Sequence, residues 1–169
     1  MGKIDGLRIV IVGDVLHSRV ARSNLWGLIN MGADVTLCGP PTLLPQFWFE
    51  KINKQPDENH LLRSVKLDTN LDRALVGADV VMALRLQVER QHTSFFPSLR
   101  EYTRLWQVNS KRLSLASPKV VVLHPGPMNE GIELSSDVAH GVSSLMHEQV
   151  TNGVAVRMAL LYLASVWRE

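Results

Sequence analysis

The chain has 169 residues, of which 46% are apolar and 20% charged. That balance fits one globular domain with a real core and excludes a disordered chain, a coiled coil and a disulfide-stapled mini-protein. Lys and Arg exceed Asp and Glu by only two (18 against 16), too little for a nucleic-acid footprint, whereas an anionic small-molecule ligand stays open.

In chain order, Leu7–Val12 is a β-branched run ended by Gly13-Asp14 and predicts a first strand. Arg19–Met31 has Ala21, Leu25 and Leu28 at helical spacing, with Gly32 as its terminator. Asp34–Cys38 reads as a second strand stopped by Gly39-Pro40-Pro41, and Pro45–Asn53 as a helix with proline near its first turn. Gln55–His60 is polar and reads as a surface loop. Ser64–Leu67 is a short third strand, Thr69–Val76 a helix ending at Gly77, and Asp79–Leu84 a buried fourth strand. The stretch 85–97 reads as loop, followed by short helices at Ser98–Trp106 and Ser110–Ala116. Lys119–Leu123 is the last strand, and Ser143 is read as the cap of a final helix running to about Trp167. Five short strands, each followed by a crossover, predict a single α/β domain: a three-layer, doubly wound parallel sheet.

The single cysteine, Cys38, allows no internal disulfide and reads as a small packing residue. The first residues lack a signal-peptide pattern. The apolar run Val154–Trp167 is interrupted by Arg157 and too short to span a bilayer. The expectation is a cytoplasmic protein with no membrane or nucleic-acid partner.

In a doubly wound sheet, ligands bind beyond the carboxyl ends of the strands, near the switch in strand order. The loop after the first strand, Gly13 to Ser23, has one glycine followed by bulky Val15 and Leu16. A dinucleotide site wants G-x-G-x-x-G there, so no nicotinamide or flavin cofactor is expected, and no zinc-ligand spacing occurs either. His140, His147 and Glu148 read as surface residues. The loop does offer Arg19 at a helix start, where a guanidinium and the helix dipole both favour a carboxylate; a lone arginine there is more often a solvated charge. The fourth strand runs into Arg85-Leu86-Gln87-Val88-Glu89-Arg90. Arg85 leaves the carboxyl end of the sheet, Gln87 points the same way if the chain is extended, and Glu89 can hold a neighbouring arginine; an exposed salt-bridged loop is the competing reading. Two arginines at adjacent strand ends suit a ligand with two carboxylates, such as a small dicarboxylic amino acid. After the fifth strand, His124-Pro125-Gly126-Pro127 is a rigid turn short of N–H donors, which leaves carbonyl oxygens to accept from an amine. His124 itself reads as a structural histidine more readily than a catalytic one.

Together these loops resemble the second half of aspartate carbamoyltransferases of the bacterial catalytic-chain type. The resemblance rests on Gly13-Asp14 with His17-Ser18-Arg19-Val20-Ala21-Arg22-Ser23, on Gly39-Pro40-Pro41-Thr42-Leu43-Leu44-Pro45 and on Leu84 to Arg90. It continues through Phe96-Pro97-Ser98-Leu99-Arg100-Glu101-Tyr102, His124 to Asn129, and Glu148 to Met158. It implies a Rossmann-like domain of transcarbamoylase type and a family member's aspartate-binding domain alone, without the carbamoyl-phosphate domain. It further implies that Arg19 and Arg85 clamp the carboxylates of L-aspartate with Gln87 beside them. Gly126 and Pro127 would present carbonyls to the reacting amine and carbamoyl groups around a cis peptide, His124 would shape that catalytic turn, and Glu89 and Arg90 would lie in a closing loop. The implied reaction makes N-carbamoyl-L-aspartate for pyrimidine synthesis, with no metal. The implied partners are a carbamoyl-phosphate-domain polypeptide or full-length paralogue, in a homo- or hetero-oligomer that is a trimer in the family. The final helix would reach back to the carbamoyl-phosphate domain. One departure is Glu130, where the family carries arginine. A non-catalytic regulatory or assembly module is the alternative, and an ornithine enzyme ranks below both because its substrate lacks the second carboxylate.

Overall fold

Arg8–Val12 forms β1, the middle strand of the sheet, because four consecutive β-branched residues from Ile9 to Val12 supply an apolar side chain to each face. The computed structural model describes residues 2–47, 64–86 and 98–166. β1 is followed by α1 (Arg19–Asn30), β2 (Asp34–Cys38), a 3-10 turn (Pro41–Leu43), β3 (Lys66–Asp68) and α2 (Leu71–Leu75). Then come β4 (Val80–Ala83), α3 (Leu99–Trp106), α4 (Ser110–Leu113), β5 (Val121–Leu123), α5 (Ser136–Ala139) and α6 (Met146–Val166).

The five strands are all parallel in the order β3-β2-β1-β4-β5. The chain builds outward from β1 in one direction and then restarts on its other side with β4, so the switch in strand order lies between β1 and β4. The predicted doubly wound α/β sheet is the one observed. Each face has its own core. Ile9 and Ile11 pack with Ala21 and Leu25 of α1 and with Val35, Leu37 and Met82. Val10 and Val12 pack on the opposite face with Leu71, Leu75, Tyr102, Trp106, Val122 and Leu134. These are the three layers.

Local departures from the expected boundaries have local causes. β3 lies two residues later than expected at its start, because Lys66, Leu67 and Asp68 align with Thr36, Leu37 and Cys38 of β2. α4 stops at Leu113 rather than Ala116, because the carbonyl of Leu115 turns to accept from the Gly77 N–H at 2.9 Å. Ser143 is not a helix cap. Its carbonyl accepts from Val122 N–H at 2.8 Å and Leu145 N–H donates to Val122 O at 3.0 Å, so this segment pairs with the free edge of β5, and α6 starts at Met146. Satisfying an open strand edge outweighs an earlier helix start. The short α5 was not anticipated; four residues carry too little periodicity to read. The helix expected over Pro45–Asn53 lies beyond residue 47 largely outside the described residues, as does the loop at Gln55–His60.

α6 is tied to the domain only near its start. Met146 packs on the core, and Gln149 accepts from the His124 N–H at 3.3 Å. Beyond that the helix is exposed on all sides, including Val154 (48%), Met158 (66%), Leu161 (73%) and Tyr162 (68%). Among the described residues no helix is long and apolar enough to cross a membrane.

Candidate functional site at the carboxyl edge of the sheet

The site is built where β1 and β4 end side by side. Pairing continues past β4, since Leu84 N–H donates to Val12 O at 2.8 Å, so Arg85 emerges beside Gly13. Gly13 has φ +122°, a region closed to most side chains. A methyl group on it would stand 3.1 Å from Leu84 O and 3.2 Å from the Tyr102 hydroxyl. The neighbouring loops close equally tightly: a methyl group on Gly39 would lie 2.6 Å from Gly13 O. Glycine here serves close approach of protein loops to one another.

Asp14, 2% exposed, anchors the next turn: Oδ1 accepts from His17 N–H at 3.1 Å and lies 2.9 Å from His17 Nδ1. Ser18 then caps α1, its Oγ accepting from Ala21 N–H at 3.1 Å. Arg19 is therefore the first helical residue, exposed at the positive end of a twelve-residue helix. Arg85 is half-buried, and its guanidinium is close enough to His124 to act on that ring electrostatically. Arg85 and His124 are thus brought within electrostatic reach of one another, and Arg19 opens the helix that follows β1, the strand next to β4. Gln87, Glu89 and Arg90 lie outside the described residues. Cys38 is buried at the end of β2, and burial pushes its thiol up to about 12, in keeping with packing.

β5 delivers His124 to the same edge. His124 is 3% exposed, and its Nδ1 accepts from Gly126 N–H at 2.9 Å. That bond places the ring proton on Nε2. Gly126–Pro127 is a cis peptide bond, Gly126 has φ +65°, and both residues are exposed. Burial first, and then the Arg85 guanidinium, bring the His124 pKa down from 6.5 to about 4. The ring is thus neutral at ordinary pH and tied to its own turn.

The sign of the pH effect follows from that depression. Between about pH 6.5 and pH 4 the unfolded chain binds a proton at this histidine that the folded chain refuses, so stability falls as pH drops through that window. His124→Gln is expected to flatten that part of the stability–pH profile in urea unfolding, and the wild-type ring is expected to titrate by NMR near pH 4, retaining its Nε2–H form above it.

Two residues in this turn carry weight that sequence reasoning missed. Glu133, 1% exposed, and Asn129 hydrogen-bond to the segment that follows β4. A single acid between Ile132 and Leu134 carries no sequence signal of burial. Glu130 is held by a hydrogen bond from Ser136 and by His140, whose Nε2 lies 3.4 Å from Oε1; these hold its carboxyl below the ordinary range.

Comparison with known proteins matches this architecture. Residues 5–164 match the family described as Aspartate/ornithine carbamoyltransferase, Asp/Orn binding domain. The chain is 56% identical over 162 residues to the aspartate carbamoyltransferase catalytic subunit of Desulforamulus reducens, covering 96% of this chain and 48% of that one. It is 52% identical to the protein of that name from Dehalococcoides mccartyi, covering 98% and 48%. Among solved structures it resembles the ornithine carbamoyltransferase of Pyrococcus furiosus, with TM-score 0.78 and 28% identity over 95% of this chain and 50% of that one. It also resembles the aspartate transcarbamoylase of Trypanosoma cruzi in complex with N-(phosphonacetyl)-L-aspartic acid, with TM-score 0.76 and 26% identity over 96% and 50%. The chain spans about half the length of the relatives it matches. It belongs to the aspartate/ornithine carbamoyltransferase family, matching the Asp/Orn-binding domain from one end of the sheet to the other.

Proposed function

We infer that the chain is the aspartate-binding half of an aspartate carbamoyltransferase acting in pyrimidine synthesis. The observation that supports the reading is Arg19 at the start of the helix that follows β1 and Arg85 just past β4, the two strands flanking the switch point, in a chain more than half identical to proteins named as that enzyme's catalytic subunit. Two guanidinium groups match the two carboxylates of L-aspartate, each able to make paired charge-assisted hydrogen bonds. Ornithine, with one carboxylate and a second cationic amine, would leave one arginine facing a like charge.

In the reaction, the aspartate amine nitrogen attacks the carbonyl carbon of carbamoyl phosphate. A C–N bond forms, the bond from that carbon to the phosphate oxygen breaks, and phosphate leaves carrying the proton lost by the amine. On this reading the carbonyls of Gly126 and Pro127 orient the amine and carbamoyl groups, the arginines fix the carboxylates with help from Gln87, His124 braces the turn, and Glu89 and Arg90 serve to close the site. Catalysis is then positioning together with stabilisation of a charged tetrahedral centre. The groups that hold carbamoyl phosphate belong to a second domain, supplied by another segment or polypeptide within a cytoplasmic oligomer.

The test is reconstitution. The chain alone is expected to form no measurable carbamoyl aspartate from aspartate and carbamoyl phosphate, and mixing it with a separately expressed carbamoyl-phosphate domain from a relative is expected to restore turnover. Turnover by the purified chain alone, or none in any mixture that forms a complex, would overturn the reading.

A further inference from the structure

One buried acid stitches together the two loops to which the proposed site assigns aspartate's carboxylate and amine. Glu133 Oε1 accepts from the Leu86 backbone N–H at 2.8 Å and from the Asn129 side-chain amide at 2.8 Å, and Oε2 accepts from the Asn129 backbone N–H at 2.8 Å. The Asn129 amide also donates to Leu86 O at 3.1 Å. Leu86 follows Arg85 directly, and Asn129 stands two residues after Pro127, so two of these hydrogen bonds join segments at least 43 residues apart in the chain, and the other two lock Asn129 to Glu133. The Glu133 carbonyl accepts from Val108 N–H at 3.0 Å, which ties the acid to the stretch leaving α3.

Such a carboxylate is an expensive fastener. Burial raises its pKa, against the lowering effect of the Leu86 and Asn129 hydrogen bonds. An apolar side chain between Ile132 and Leu134 would fill the same space without removing a charge from water, and replacing buried charges with apolar groups is often neutral or stabilising. What an apolar residue cannot supply is direction. The two oxygens accept from donors on both loops at once, and so fix one loop against the other.

We propose that Glu133, acting with Asn129, is a positioning residue that sets the distance between the Arg85 guanidinium and the Gly126–Pro127 turn, and thereby selects a dicarboxylic amino acid of aspartate's length over the longer glutamate. The inference rests on the site proposed above. Arg85 would hold a carboxylate and the turn an amine, so the spacing between these loops measures the ligand. Glu133→Gln keeps the shape but turns an amide NH2 toward N–H donors, which leaves at least one of them unpaired.

The test uses the full chain, with L-aspartate and L-glutamate titrated by NMR shift changes and amide hydrogen exchange read on the same samples. In Glu133→Gln, the Leu86 and Asn129 amides are expected to exchange faster while those of β1 and β2 do not. Aspartate is expected to bind about tenfold more weakly, as for loss of a hydrogen bond to a charged group, with a smaller loss for glutamate, so that discrimination narrows. In an Arg85→Lys background the same change is expected to add less than about twofold, because the two residues act through one geometry. Unchanged aspartate affinity despite faster exchange at Leu86, or equal losses for both ligands fully additive with Arg85→Lys, overturns the inference. If Arg85→Lys alone leaves aspartate affinity untouched, the proposed site falls and takes the inference with it, while exchange at Leu86 still reports the clamp. Should Glu133→Gln fail to fold, Asn129→Ala carries the same measurements with the same expected signs.

Discussion

Arg85→Ala is expected to weaken L-aspartate binding by about a hundredfold, the loss of a paired, charge-assisted interaction worth roughly 2–3 kcal/mol. The size follows from where the guanidinium sits. Arg85 is half-buried at the switch point, beside a histidine that stays neutral above about pH 4 and does not compete for an anion. Its backbone is held on both sides, by Leu84 N–H on Val12 O at 2.8 Å and by Leu86 N–H on Glu133 Oε1 at 2.8 Å. A side chain on so fixed a stem loses little freedom on binding, so its interaction shows nearly in full. Arg85→Lys is expected to recover only part, because an ammonium keeps the charge without the planar fork. Calorimetric titration of L-aspartate measures both. The His124 ring supplies an internal check: the Arg85 guanidinium lowers its pKa, so removing that charge is expected to move the histidine titration upward in the NMR spectrum. An Arg85→Ala chain that binds aspartate as tightly as wild type, with His124 shifted, would place the aspartate site elsewhere.

Sequence was most informative where one residue type permits one conformation or where apolar residues run unbroken. β2 falls at Asp34–Cys38 as read, and β1 differs by one residue at its start, because a β-branched run in β1 and short apolar-rich stretches ended by Gly13 and Gly39 suit the inner strands of a parallel sheet. The turn after β5 was visible for the same reason, since a Pro-Gly-Pro run restricts its own backbone. What stayed hidden depends on partners distant in the chain. Glu133 looks like any loop acid until Leu86, 47 residues away, is folded against it. Ser143 looks like a cap because nothing local reveals that β5 has an open edge. Of the candidate site, the strand ends were legible, whereas the bonds that hold those ends in register were not.

The charge pair Met158→Glu with Leu161→Glu is expected to leave the isolated chain folded and to abolish its assembly with a carbamoyl-phosphate domain. α6 carries apolar residues on opposing sides, with Val154, Met158 and Leu161 along one stripe and Val156, Leu160 and Leu163 along another, all exposed. A helix apolar all round is stable in water only when covered, and in this fold the sheet covers none of it beyond the first turn. The chain spans about half the length of its relatives, so on the proposed function the cover is the domain that binds carbamoyl phosphate. Burying a methionine and a leucine contributes about 1.5–3 kcal/mol each, and two carboxylates would add the cost of desolvating charge in the same contact. The expected loss in affinity between the halves is therefore at least a few hundredfold, read by sedimentation or by titrating one half into the other. Because both side chains are exposed in the chain alone, its urea midpoint is expected to move little. Assembly at wild-type affinity with both glutamates in place would mean that the helix faces solvent in the complex too, and that the halves meet through the carboxyl edge of the sheet.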